Sequence, residues 1–235
     1  MAFALVNLDL ILVPAGLLIM FTYHLYLLYR ILKFPASTVI GYENLNRMAW
    51  AQNMMQGGSH TSLALNVISI NVWSVIYLAI ITLSLSSLIG AILGSSTGYL
   101  ANNILILGDT SSTTIFLKYI SILLSFMLAF AAFVQSARYF VQSDFFISTP
   151  ITNIPVTTVQ STLIKANNFW HLGLRLLYFA MAFLFWGFGP IPMFASCVIM
   201  VMILFFLDSN STPLHHYKPV AMDSEIKKKV EKLFE

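Results

Sequence analysis

Charge is scarce in this chain. Of 235 residues only 9% are Asp, Glu, Lys or Arg, while 58% are hydrophobic and the mean hydropathy is +0.82. A soluble domain carries about 25% charged residues, so the composition excludes a water-soluble globule and predicts an integral membrane protein. The length allows one compact bundle and leaves no room for a large extramembrane enzyme domain. A net charge of +3, without a Lys/Arg patch interleaved with aromatics, gives no basis for nucleic-acid binding.

Cysteine is nearly absent. Cys197 alone excludes an intrachain disulfide, and its apolar surroundings predict a buried structural thiol. Enzyme signatures are also missing. His24, His60, His171, His215 and His216 are scattered, and the last two lack the i, i+4 spacing that places two ligands on one helix face. No GxSxG, CxxC, P-loop or HExxH pattern occurs. The nine carboxylates form no DxxD or ExxH pair. The expectation is therefore no enzyme, no metal and no cofactor. The N-terminus lacks a basic region ahead of its apolar segment, which reads as a retained span and not a cleaved signal.

What is present is apolar and helical in length. The fold expected is an all-α bundle of four to five transmembrane helices over residues 1–207, followed by a charged tail over 208–235. The spans fall at about 8–29, 63–93, 115–134, 172–188 and 191–207. The first has Pro14 and Gly16 in its early turns, with Asp9 capping one end and Arg30 at the other. A polar connector, 31–62, carries Trp50 as an interfacial anchor. The second span is about 45 Å long if continuously helical, and its Gly90, Gly94 and Gly98 have the small-xxx-small spacing that permits close helix approach. A loop over 95–114 holds no Lys or Arg, and a second polar connector, 142–165, holds Pro150 and Pro155.

The last apolar block, Leu172 to Leu207, is about 54 Å as one helix, too long for a single crossing. It is interrupted by GFGPIP, with helix-breaking Gly187, Gly189, Pro190 and Pro192. Charge placement bears on the threading. Arg30, Lys33 and Arg47 lie in the first connector, Arg138 and Lys165 in the second, and five lysines in the tail. Four spans would put the tail opposite both basic connectors. A hairpin at GFGPIP gives five spans and gathers all the basic segments on the cytosolic side, as the positive-inside tendency requires. Five spans are favoured, although each half of the last block is then only about 25 Å long.

Polar residues inside the spans carry the functional reading. At 100° per residue, Ser62, Asn66, Ser69, Trp73, Tyr77, Ser84 and Ser87 fall within a sector of about 80°, and Asn71, Ser74 and Thr82 lie away from it. Such a stripe either hydrogen-bonds another helix or faces water, which makes Ser62, Asn66, Ser69, Trp73, Tyr77 and Ser84 pore-lining candidates. A stripe on the third span, Lys118, Ser121, Ser125, Ala132, Gln135 and Tyr139, is dominated by small residues and reads as close packing. One subunit has too few helices to enclose a channel, but a symmetric ring would turn one Asp into a ring of carboxylates. Asp9, Asp109 and Asp144 are the acidic-ring candidates, against the plainer reading of caps or solvated charges; Asp208 also sits at a span boundary. Arg138 and Arg175 are expected to anchor helix ends at headgroups.

In order along the chain, LDLILVPAG, Tyr23-His24, Arg30, Pro35, Thr38, Ile40-Gly41, Arg47, Trp50, Lys118-Tyr119, QSARYF, Thr149-Pro150, LGLRLLYF, WGFGPIPMF, Cys197 and FFLD resemble a plant family of small membrane proteins catalogued as a domain of unknown function. Within that group the resemblance implies a homopentamer of the endoplasmic reticulum membrane, with a central pore passing cations including Ca2+ and a role in plant defence. One departure stands out. Where the family typically has Gln and Arg, this chain has Asn66 and Ser69. A ring of arginines repels cations, and serine removes that barrier.

The sequence thus predicts a homo-oligomeric, calcium-permeable cation channel whose partners are its own copies, membrane lipid and the permeant ions. Two alternatives remain open: a small-solute or lipid transporter built around the broken GFGPIP segment, and a non-conducting scaffold whose stripes are oligomer contacts.

Overall fold

The structure, a computed structural model, describes residues 2–55, 60–94, 111–149 and 154–212. Within them all regular structure is helical: α1 (Ala2–Lys33), a 3-10 turn (Pro35–Ser37), α2 (Val39–Met55), α3 (Thr61–Gly94), α4 (Ser112–Ser148), α5 (Val156–Trp186) and α6 (Pro190–Leu207). Hydrocarbon offers no partners for backbone N–H and C=O groups, so a helix, which satisfies them internally, is the form such apolar runs adopt. Five of the six helices, α1 and α3 to α6, are long and apolar enough to cross a membrane. The chain is an integral membrane protein on that ground.

The break at GFGPIP is a hairpin, so the last apolar block supplies two of the five candidate spans. Helix α5 ends at Trp186, and the amides of Gly187, Phe188 and Gly189 donate to the carbonyls of Leu184, Phe185 and Trp186. Gly189 has φ 142°, a conformation open only to a residue without Cβ. Pro190 then starts α6, where its missing N–H costs nothing and its fixed φ suits the first turn.

Other boundaries differ from the hydropathy reading. The expected connector 142–165 is mostly helix: α4 runs on to Ser148 and α5 already begins at Val156. With 37 residues α4 is about 55 Å long, well beyond the ~30 Å hydrocarbon layer. Packing sustains these polar extensions, because Phe140, Ile147, Val159 and Leu163 are buried together in one core cluster. The connector 31–62 contains α2 for the same reason, with Ala51 and Met55 in that cluster. Asp9 lies inside α1 and does not cap it, since the helix begins at Ala2. Asp109, Gly98, Pro150 and the tail beyond Thr212 lie outside the described residues.

The spans pack in the order α3, α4, α5, α6, α1, with α2 against α5. Helix α3 therefore ends the row. Where α5 approaches α4, Gly173 is enclosed by the Phe133 ring, and a Cβ there would lie 2.6 Å from Phe133 Cε1. At the opposite side of the row, Val13 and Met20 of α1, Ala182 of α5, and Met193 and Cys197 of α6 form a second cluster. Contacts at the two axial ends of the bundle fix how its helices are aligned. Trp186 Nε1 donates to Asp9 Oδ1 over 2.8 Å at the hairpin end. At the other end Tyr23 Oη donates to Asp208 Oδ2 over 2.6 Å, and Thr38 and Ser209 form an isolated β-bridge. The latter end is the basic one, with Arg30, Arg47 and Lys165.

Candidate functional site

Helix α3 has two faces of different character. The face packed into the protein is Ala64, Ile68, Val75, Ala79, Thr82, Ser86 and Ile89, all buried. The polar stripe projects about 150° away from it around the helix. Ser62, Asn66 and Ser84 are exposed, Ser69 is half-buried, and Trp73 and Tyr77 are 59% and 62% exposed. The rings of Trp73 and Tyr77 lie side by side, centroids 6.3 Å apart. Among the described residues no group hydrogen-bonds the side chains of Ser62, Asn66, Ser69 or Ser84. The stripe is thus not helix glue within the protomer: it faces outward from the end of the row. Asn71, turned away from the stripe, donates to its own helix at Val67 O over 2.8 Å. It lines a hollow of about 380 Å³ with Arg47 and Trp50.

Small residues distribute differently from the sequence expectation. A Cβ at Gly90 would meet nothing closer than 3.8 Å, and one at Gly94 nothing within 4 Å, so neither serves close packing inside the protomer. The tight approaches are at Gly16, Gly41 and Gly173 instead. On α4 the small-residue stripe is largely inward, with Ser125 and Ala132 buried.

The acidic candidates separate. Asp9 is buried, and its carboxylate takes the Trp186 indole N–H. Lys118 Nζ lies 5.7 Å from the centroid of that same ring. Asp9 thus ties α1 to the hairpin. Asp144 is half-buried on α4, at the end of the bundle where α3 begins. Asp109 is outside the described residues.

A second concentration of polar groups lies at the basic end, between α1, α2, α5 and α6. Arg175 donates through Nη2 to Asp208 Oδ1 in a short ion pair, with 12% and 8% of the two side chains exposed. Arg175 is therefore an internal ion-pair partner and not a headgroup anchor. Its guanidinium also lies 5.6 Å from the centroid of the Tyr178 ring. One turn away, His171 Nε2 meets Glu43 Oε2 at 2.9 Å. Asn167 Nδ2 donates to Asn44 Oδ1 over 2.9 Å and Asn44 Nδ2 to Asn168 Oδ1 over 2.9 Å. Burial alone would raise the Glu43 pKa, but His171, Asn167 and Arg47 outweigh it and hold the carboxyl below its ordinary range. Burial pushes the neighbouring Arg47 below its usual value.

Sequence reasoning passed over this network because its members are far apart in the chain. One signal was available: Asn167, His171 and Arg175 recur every fourth residue, so they share one face of α5. Ionisable residues inside a span mark function by default. Among the described residues no three His, Cys, Asp or Glu side chains are grouped to hold a metal ion.

Residues 11–213 match the family model described as "Protein of unknown function, DUF599". That is most of the chain, and the chain belongs to this family. Nothing among curated proteins or solved structures matches it.

Proposed function

For this member of the DUF599 family, we propose a cation channel formed by several copies of the chain around a shared axis, with the α3 stripe facing the axis. The outward stripe, unpartnered at Ser62, Asn66, Ser69 and Ser84, is the observation that carries this reading. Polar side chains that find no partner in their own subunit cost free energy against lipid, and a water-filled axis between copies removes that cost. Asn66 and Ser69 place neutral polar groups on that wall, and where the stripe carries no arginine no fixed positive charge opposes a cation. The finer assignment, a Ca2+-permeable pentamer of the endoplasmic reticulum acting in plant defence, rests on resemblance to WeiTsing, an immune-related plant channel. Asp144 and Asp109 remain candidates for a carboxylate ring, whereas the tie to Trp186 turns Asp9 inward.

Reconstitution of the purified protein in planar bilayers tests the reading. Unitary cation currents that carry Ca2+ are expected. A silent bilayer, or currents selective for anions, would overturn it. Saturable solute flux without unitary events would point to a transporter instead.

A further inference from the structure

Between α1 and α5, at the basic end of the bundle, lies an open cavity of about 460 Å³. That is within the range of about 300–1,000 Å³ typical of ligand pockets. Phe21, Leu28 and Phe179 line it together with four polar residues, His24, Asn168, His171 and Arg175. Its outer rim is lipid-facing: Phe21 and Leu28 are 60% and 50% exposed.

Two nitrogens at this cavity lack a hydrogen-bond partner among the described residues although they are buried: His24 Nε2 and Arg175 Nη1. Each has a defined character. Nη2 of Arg175 is committed to Asp208, whereas Nη1 is a cationic donor without a partner among the described residues. His24 Nδ1 lies 2.7 Å from Met20 O. A carbonyl can only accept, so Nδ1 carries the proton, and Nε2 of the neutral ring is a free acceptor. Leaving either group unmatched in a low-dielectric site is costly.

We infer that this cavity binds an acidic phospholipid of the surrounding bilayer, one acyl chain along the apolar wall and a monoester phosphate at Arg175 and His24. A phosphate monoester has its second pKa near 6, so part of the population still carries a proton near neutral pH. It can accept from Arg175 and share its remaining proton with His24, which a phosphodiester or a choline headgroup cannot do. His24 and Arg175 both line the cavity, and a phosphate reaches their buried nitrogens only after these side chains rotate. Arg30 and Lys33, in the last turn of α1, add positive charge where headgroups sit. The opening toward lipid admits the chain from the bilayer side. The site is independent of whether the protein conducts ions.

Lipid binding to the detergent-solubilised full chain, read by native mass spectrometry, tests this. Phosphatidic acid, phosphatidylcholine of the same chains and the free fatty acid are the probes. Phosphatidic acid should bind about tenfold more tightly than phosphatidylcholine, the return for one charge-assisted hydrogen bond. His24→Phe keeps the ring contact with Phe179 and should abolish most of that preference. Leu28→Trp should fill the cavity and remove phosphatidic acid binding. Equal affinity for the two phospholipids would overturn the inference. So would capture of the fatty acid but not phosphatidic acid, or an unchanged preference in Leu28→Trp, a variant that tests the site even where His24→Phe fails to fold.

Discussion

Arg175, in the middle of α5, pairs with Asp208, which stands at the end of α6 33 positions later. The second carboxylate oxygen of Asp208 accepts from Tyr23 of α1, so one acid joins three spans. Removing one partner of a buried ion pair strands the other charge and costs about 3–5 kcal/mol. Asp208→Asn should therefore unfold the protein in detergent at distinctly lower temperature. The double replacement Arg175→Met with Asp208→Leu should recover part of the loss, because it strands no charge and leaves only the Tyr23 hydroxyl without its acceptor. Additive losses in the double variant would show that the pair is not coupled.

This junction also shows where the sequence is legible. The five spans and the hairpin follow from run length, GFGPIP and the distribution of Lys and Arg, all of which are local or averaged properties. The partnership of Arg175 and Asp208 is neither. It depends on the end of α6 returning alongside the middle of α5, which no spacing within one helix encodes. The same holds for α4 and α5. Hydropathy ends each span where polar residues begin, but Ile147 and Val159 continue the helical packing beyond that point. The α3 stripe, by contrast, was readable because it is a property of one helix. Its direction was not: only the packing of Ala64, Ile68 and Val75 against neighbours shows that the stripe faces out.

Three glycines give a graded test of packing. A Cβ at Gly41 would lie 2.3 Å from the Pro35 carbonyl oxygen, which is backbone and cannot step aside. At Gly173 it meets the fully buried Phe133 ring at 2.6 Å. Gly94 has open space. Gly173→Ala should destabilise by about 1–3 kcal/mol, the usual cost of overpacking, and Gly41→Ala by at least as much. Gly94→Ala should be neutral or slightly stabilising by helix propensity. Melting temperatures of the three variants in one detergent decide it, and the ranking fails if Gly94→Ala is the worst.

The docking of α2 should weaken in acid. Glu43 has its pKa lowered in the folded protein. Its contribution is therefore present above the ordinary carboxylate pKa and disappears as pH falls through the lower folded value. Amide exchange over residues 39–55 should stay constant from neutral pH down to about 5 and accelerate below about 4, after correction for intrinsic exchange. In Glu43→Gln this acid limb should be absent. Its persistence would assign the pH response to another group.

Replacing Ser69 tests which way the stripe looks in the assembly. If α3 lines a shared axis, Ser69→Arg places a ring of positive charge beside each passing cation. Two unit charges about 7 Å apart at an effective dielectric of 20 repel by about 2 kcal/mol, which is more than tenfold in rate for a single pair. Cation conductance should fall at least that far, and the reversal potential should shift toward anions. Ser69→Ala removes a hydroxyl without adding charge and should change conductance little. Ile80, which shares the sector and is 55% exposed, extends the test along the helix: Ile80→Arg should block as Ser69→Arg does. Unchanged cation currents in both arginine variants would place the stripe against lipid or a neighbouring subunit, away from the conduction path.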